Sequence, residues 1–174
     1  MAKSENIFII LGLSGLFAYE ISAFTQHPDN NLFKIVRSRD TDEIFYDVSL
    51  GADGRLDPDS PVNIYWVRKS GGSGGHEPLT WIQRRYSYGI KVIESSPGHA
   101  LFRFVSFDSK VFRIERGADG RFIARTNIGD NQVTVERIYV RFDGGTYLAP
   151  VVGEVIMYGR DTKTGDLLSE DIKH

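Results

Sequence analysis

From residue 32 onward, short runs of β-branched, aromatic and aliphatic residues alternate with polar breaks rich in glycine and aspartate. That pattern predicts strands joined by tight turns. Runs at 32–39 and 43–50 flank a polar Asp40-Thr41-Asp42 turn. The run at 62–69 (VNIYWVRK) is apolar on both alternating faces, which predicts a strand covered on both sides. Further strands are expected at 90–94, 100–107, 110–116, 121–126, 132–142, 151–160 and 167–172. Asp143-Gly144-Gly145 and Lys163-Thr164-Gly165 mark turns between the later ones. Within 132–142 the apolar phase changes: Val133 and Val135 share one parity, Ile138, Val140 and Phe142 the other. One extra residue in a β-bulge near Glu136 and Arg137 would return all five to one face.

A single stretch reads as helix, residues 80–88. Thr80 can cap it, Pro78 stands just ahead, and Gly89 can end it. The glycine-rich 71–75 (GGSGG) reads as a loop tip. The fold class that follows is mainly β: an antiparallel sandwich or partly open barrel of about nine strands with one short helix. It forms one domain over 32–174, after a polar connector at 25–31 and an N-terminal hydrophobic helix.

The pentapeptide Gly-Ala-Asp-Gly-Arg occurs twice, at 51–55 and 117–121. Each copy stands where one strand ends and the next begins, and Asp-Gly supplies the positive φ that a tight turn needs. Convergence on a favourable turn explains the repeat; an ancient duplication and a shared ligand site are the other readings. Asp53, Asp57 and Asp59 cluster in the first loop without the spacing of an EF-hand, so calcium finds little support there.

Residues 1–24 change the picture. Lys3 precedes a charge-free run from Ile7 to Ala18 that contains Phe8, Ile9, Ile10, Leu11, Leu13, Leu16 and Phe17, and Ile21-Ser22-Ala23 offers a small-residue cleavage site. This is the layout of a secretory signal. An uncleaved anchor fits too, since residues 7–24 as a helix would span roughly 27 Å, close to the ~30 Å apolar core of a bilayer. A hydrophobic helix packed on the domain is the third reading. Both signal and anchor place the remaining residues outside the cytoplasm, in the periplasm or at the periplasmic side of the inner membrane.

Composition removes several function classes. The 174 residues carry a formal net charge of −2, which gives no global attraction for nucleic acid. There is no cysteine, hence no disulfide, thiol catalysis or thiolate metal site. The four histidines, His27, His76, His99 and His174, are not spaced as a metal pair, and no nucleophile elbow, zincin helix or phosphate loop is present. No catalytic residue, metal or cofactor is therefore expected.

The densest unusual cluster lies on and after the predicted helix. At helical spacing Trp81, Arg84, Arg85 and Tyr88 would share a face, with Lys91 just beyond. Trp, Tyr and Arg dominate interface hot spots, so the cluster is a candidate partner- or anion-binding surface. The structural alternative has Trp81 and Tyr88 docking the helix while the arginines reach solvent. Arg103 shares parity with Leu101, Val105 and Phe107 and would be an inward-facing base needing an acid or anion if that face is buried. Arg137, Tyr139 and Arg141 form a basic-aromatic stripe best read as a solvated face.

Four stretches taken together carry a resemblance: Asn31-Leu32-Phe33 leading into a strand with Arg37; PVNIYWVR at 61–68; EPLTWIQRRYSYGIK at 77–91; and RIYVRFDGGTYLAPVVGEVIMYGRDTKTG at 137–165. In that order they resemble an uncharacterised bacterial family known as a domain of unknown function, with short, exported, β-rich members. The resemblance implies an exported β domain and carries no activity. The glycine-rich loop at 70–75 departs from it.

The expected role is a non-enzymatic, periplasm-facing domain held at the membrane by its N-terminal helix, acting as a protein-binding accessory or stabilising subunit of a membrane complex. The alternatives are a released binding module for a small anionic or lipidic ligand, and a hydrolase whose site is assembled from residues distant in sequence.

Overall fold

A computed structural model describes residues 30–69, 75–146 and 150–172. The hydrophobic segment from Ile7 to Phe17, residues 25–29 of the connector (His27 among them), His174 and the glycine-rich 71–74 lie outside the described residues, while Asn31 of the expected connector already belongs to the first strand. The expected strands form: β1 (Asn31–Arg37), β2 (Glu43–Val48), β3 (Val62–Val67), β5 (Ile90–Ser95), β6 (Ala100–Phe104), β7 (Phe112–Arg116), β8 (Phe122–Ile128), β9 (Asn131–Gly145), β10 (Pro150–Asp161) and β11 (Leu167–Asp171). A further three-residue strand, β4 (His76–Pro78), precedes the single helix α1 (Trp81–Tyr86). Proline does not exclude β4, because it is an edge strand that borders only β3.

All strands belong to one hydrogen-bonded sheet, in the order β4-β3-β2-β1-β9-β8-β7-β6-β5, with β10 and β11 added beside β9. The result is a curled half-barrel, so the partly open barrel holds and the sandwich does not. The sheet is also not wholly antiparallel: β1 runs parallel to β9. Strand alternation reads the same in both pairings, which is why the sequence could not announce this one.

β9 explains the curl. β10 runs antiparallel along it from Val133 to Gly145, which occupies one edge. On the other edge residues 131–134 pair with β8, and residues 137–140 pair with β1. Two four-stranded wings, β1–β4 and β5–β8, therefore leave the same edge of one strand and face each other. The handover falls at Glu136. There Arg137 pairs with Tyr158 and Val135 with Gly159, leaving Glu136 as the extra residue of a bulge. It returns Ile138 and Val140 to the buried face already occupied by Val133 and Val135, as the phase change predicted.

The core fills the space between the wings. Phe33 of β1 stacks on Tyr46 of β2 at 4.6 Å and reaches Phe102, Phe104 and Phe112 of the opposite wing at 6.0–6.4 Å. All five rings are at most 1 % exposed. Aromatic pairs in this geometry add to the transfer free energy of burial.

Both GADGR copies form the same turn. Gly54 and Gly120 have φ of +70° and +82°. In the first, Gly51 N donates to Arg55 O and Gly54 N to Gly51 O, each at 2.9 Å; the second repeats this from Gly117 and Gly120 at 2.7 and 3.0 Å. Asp53 and Asp119 each accept from the amide two residues on, at 3.0 and 3.1 Å. One guanidinium joins the copies: Arg116 donates to Gly54 O at 2.7 Å and to Gly120 O at 2.6 Å. Asp53 and Asp57 are occupied with their own turns. Among the described residues no group of three or more acids and histidines is placed to hold a metal.

Two buried acids at the margin of the first wing are paired. Asp42 accepts from Arg68 at 3.0 Å and from the Lys69 amide at 2.9 Å. Glu43 accepts from Lys34 at 2.8 Å and contacts Lys69 at 2.7 Å. Burial raises the Glu43 pKa, but the two ammonium groups outweigh it and hold the carboxyl below the usual glutamate value. A depressed carboxylate pKa stabilises the fold above the unfolded value of about 4.3 and loses that contribution as pH falls further. The Glu43→Gln variant is expected to be less stable than the parent by about 1–2 kcal/mol at pH 7, with the gap closing below about pH 4 in urea titrations. Deleting Glu136 should turn the second half of β9 inside out and cost several kcal/mol or the fold itself. Glu136→Ala, which keeps the extra residue and loses only an exposed pair with Arg160, should cost less than about 1 kcal/mol.

Candidate functional site

α1 starts where its capping signal stands. Thr80 Oγ1 accepts from the Gln83 amide at 3.3 Å, and the Gln83 side chain returns a bond to the Thr80 amide at 3.0 Å. Gln83 Oε1 also accepts from Trp66 Nε1 at 3.3 Å, tying the helix to β3. Gly89 closes the segment: it is buried, and a Cβ there would overlap the Arg84 carbonyl. The helix therefore stops at Tyr86, with Ser87 as its C-cap.

The early stop separates the predicted face. Trp81, Arg84 and Arg85 are exposed on α1, Trp81 at 69 %. Tyr88 lies beyond the cap and turns inward, edge-on to Trp66 at 5.6 Å, and its carbonyl accepts from Tyr46 Oη at 2.6 Å. Tyr88 thus docks the segment as the structural alternative proposed, while Trp81 does not. Ile82 and Tyr86 are exposed as well. Lys91 sits on the exposed face of β5 directly across from Arg103. Arg103 is not inward-facing. Its neighbours Phe102 and Phe104 hold the buried face of β6, and both parities of that strand are apolar enough to have claimed it.

Beside α1 runs a trough. Its floor is Ile35 of β1, Ile138 and Val140 of β9 and Val155 of β10; one wall is Tyr86–Tyr88 with Val105 and Phe107, the other Phe142, Pro150 and Val152. This part encloses about 440 Å³. Ser87, Tyr88, Phe142 and Pro150 also line a second space of about 490 Å³ that continues past Trp81 and Ile82 to Arg37 and Arg39.

The cations there are engaged. Arg37 pairs with Asp40, donates to Tyr88 Oη at 3.4 Å and stacks on Trp66 at 4.4 Å. Burial opposes its charge, and the bonds to Asp40 and Tyr88 more than offset that, so its pKa lies above the ordinary value. Arg39 donates to the carbonyls of Gly144, Gly145 and Thr146 and stacks on Phe142 at 5.1 Å. On the outer face Arg137 stacks on Tyr158 at 4.4 Å, and Arg141 pairs with Asp143 and Glu154.

One constellation escaped the sequence reading. Ser96 Oγ lies 2.9 Å from His99 Nδ1, and His99 Nε2 lies 2.8 Å from Glu94 Oε1. The spacing Glu94-x-Ser96-x-x-His99 across a predicted hairpin was the available signal. The geometry is that of a turn: Ser96 Oγ also meets the Gly98 and His99 amides at 3.4 and 3.3 Å and the His99 carbonyl at 3.2 Å, all within the β5–β6 connection.

The fold and its trough can now be set beside known proteins. A family model described as a domain of unknown function, DUF4833, matches residues 33–170. The chain belongs to the DUF4833 family. No curated protein and no solved structure matches it. The match spans nearly all of both wings and every stretch on which the resemblance rested except the first two residues of Asn31-Leu32-Phe33. Among the described residues of this DUF4833 domain no helix is long and apolar enough to cross a membrane.

Since a Cβ at residue 89 would overlap the Arg84 carbonyl, Gly89→Ala should displace the helix and with it the Gln83 bond to Trp66. In a Trp81→Phe background, where Trp66 is the only indole, acrylamide quenching is expected to rise several-fold on adding Gly89→Ala. Unchanged quenching would mean that the helix is held by other contacts.

Proposed function

We propose that this DUF4833 domain is a non-enzymatic, exported protein-binding module. In this reading residues 7–24 hold it at the periplasmic face of a membrane, and it serves as an accessory or stabilising subunit of a membrane complex. The observation that carries the reading is the trough beside α1, apolar along its floor and open to solvent past an indole that is 69 % exposed. Exposed Trp and Tyr beside an apolar groove are the anchors that protein interfaces use. Two features favour a polypeptide over a small anion. The trough runs on past Trp81 into the second space, and Arg37 and Arg39 already give their terminal Nη donors to Asp40, Tyr88 and backbone carbonyls, with Arg37 Nε buried and unpartnered. The Ser96–His99–Glu94 chain supports no hydrolase, because its oxygen is held by the amides of its own turn on an exposed connection.

The apolar floor also suits a lipidic ligand, and that second reading shares the same trough. A photo-crosslinker placed at Val152, in full-length protein irradiated in its native membrane, distinguishes them. The expected product is a discrete polypeptide adduct that falls at least about five-fold when Trp81→Ala and Tyr86→Ala are added. A lipid-mass adduct alone would favour the ligand module, and no adduct would remove the trough as a binding site. The intact mass of the same material tests the anchor: residues 1–23 should be retained.

A further inference from the structure

Three strands end the sheet among the described residues: β4, β5 and β11 each pair on one side only. β4 is three residues long and contains Pro78. β11 carries Glu170 and Asp171 side by side. Short length, proline, charges and bulges are the usual protections of an open edge. β5 is neither short nor broken by proline, and its protections are Lys91, Glu94 and one bulge. It is six residues long, IKVIES, with Val92 41 % and Ile93 51 % exposed. No backbone bond from outside its hairpin reaches residues 91–94 among the described residues.

The charges on this strand are arranged unusually. Lys91 lies directly across from Arg103, both exposed, a like-charge pair that disfavours the sheet unless an acid joins it. Neither has an ion-pair partner among the described residues. Three positions on, Glu94 would face the opposite way in a regular strand. A register shift between Val92 and Glu94 adds one residue, so Glu94 pairs with Leu101 and shares the outer face with Lys91; its Oε1 meets His99 Nε2 at 2.8 Å, which leaves Oε2 for a further cation.

We propose that β5 pairs antiparallel with β5 of a second copy of this chain about a two-fold axis between Val92 and Ile93. Lys91 then opposes the second copy's Glu94, Val92 opposes Ile93, and Ile90 opposes Ser95. The bulge makes this register possible, because it gives the strand the same sequence of faces read from either end. Each dimer holds two Lys–Glu pairs. Each of these supplies the acid that the Lys91–Arg103 pair lacks, and the open edges close on each other. This pairing uses a surface other than the trough and does not depend on the proposed function.

Charge exchange tests it on the full-length protein in mild detergent by sedimentation equilibrium at low salt. The parent should be a dimer. Lys91→Glu sets Glu against Glu and Glu94→Lys sets Lys against Lys, so each alone should weaken association at least about ten-fold. An equimolar mixture of the two single variants should restore it as a heterodimer, because every opposed pair is again of opposite sign. The combined variant K91E/E94K should also restore it. Circular dichroism checks that each variant is folded. A monomeric parent, a dimer indifferent to the single changes, or failure of the mixture to recover would each overturn the proposal. In the second case another surface, or another protein's strand at β5, takes its place.

Discussion

The constraint on which the molecule depends is that β9 has only two edges and three neighbours. β10 takes one edge along its length, so β8 and β1 must share the other, one after the other. Two sheets leaving one edge in succession cannot lie flat; right-handed twist carries them apart, and they meet again as opposing walls. The aromatic core is the consequence. Phe33 and Tyr46 on one wall have Phe102, Phe104 and Phe112 to pack against because both walls hang from the same strand. The bulge at Glu136 reconciles the two pairings, since without it one half of β9 would present Arg137 and Arg141 to the core. Where the walls diverge past the floor of Ile138 and Val140, α1 bridges them, and the trough is the gap that one short helix does not fill.

Much of this was legible in the sequence, and the reasons differ by element. The bulge was visible because Val135 and Ile138 are three apart and both strongly apolar. The GADGR turns were visible because Asp-Gly states a backbone conformation outright. The helix start was visible in Thr80. What was hidden is what depends on a partner across space. Alternation cannot say whether a neighbour runs parallel, so β1–β9 pairing left no trace. On β6 both Leu101–Arg103–Val105 and Ala100–Phe102–Phe104 are plausible inner faces, and only the ring cluster decides. Tyr88 would continue a helical face until the approach of Gly89 to the Arg84 carbonyl ends the helix two residues earlier.

The candidate site shows the same division. Residue types drew attention to Trp81, Arg84, Arg85, Tyr88 and Lys91, and the structure distributes them over three environments: the helix surface, the core margin and the edge of β5. The arginines best placed to receive an anion, Arg37 and Arg39, were not among them, and both are already committed to internal acceptors. With the Nη donors of both arginines bonded internally and an indole exposed, the surface is better suited to apolar contact than to capture of a counter-ion.

The paired GADGR turns carry a last consequence. Arg116 grips the backbone carbonyl of the same residue in each loop, one loop from each wing. It reads shape and ignores side chains, so the identity of the two pentapeptides is a matching of two bearings to one pin. Ala52 and Ala118 can then be replaced as long as the glycine carbonyls keep their direction, whereas Asp53 and Asp119 help to set it. A single inserted residue in either loop would rotate one bearing away and leave the two wings joined there by packing and by the bond from the Leu56 amide to the Pro97 carbonyl at 3.0 Å.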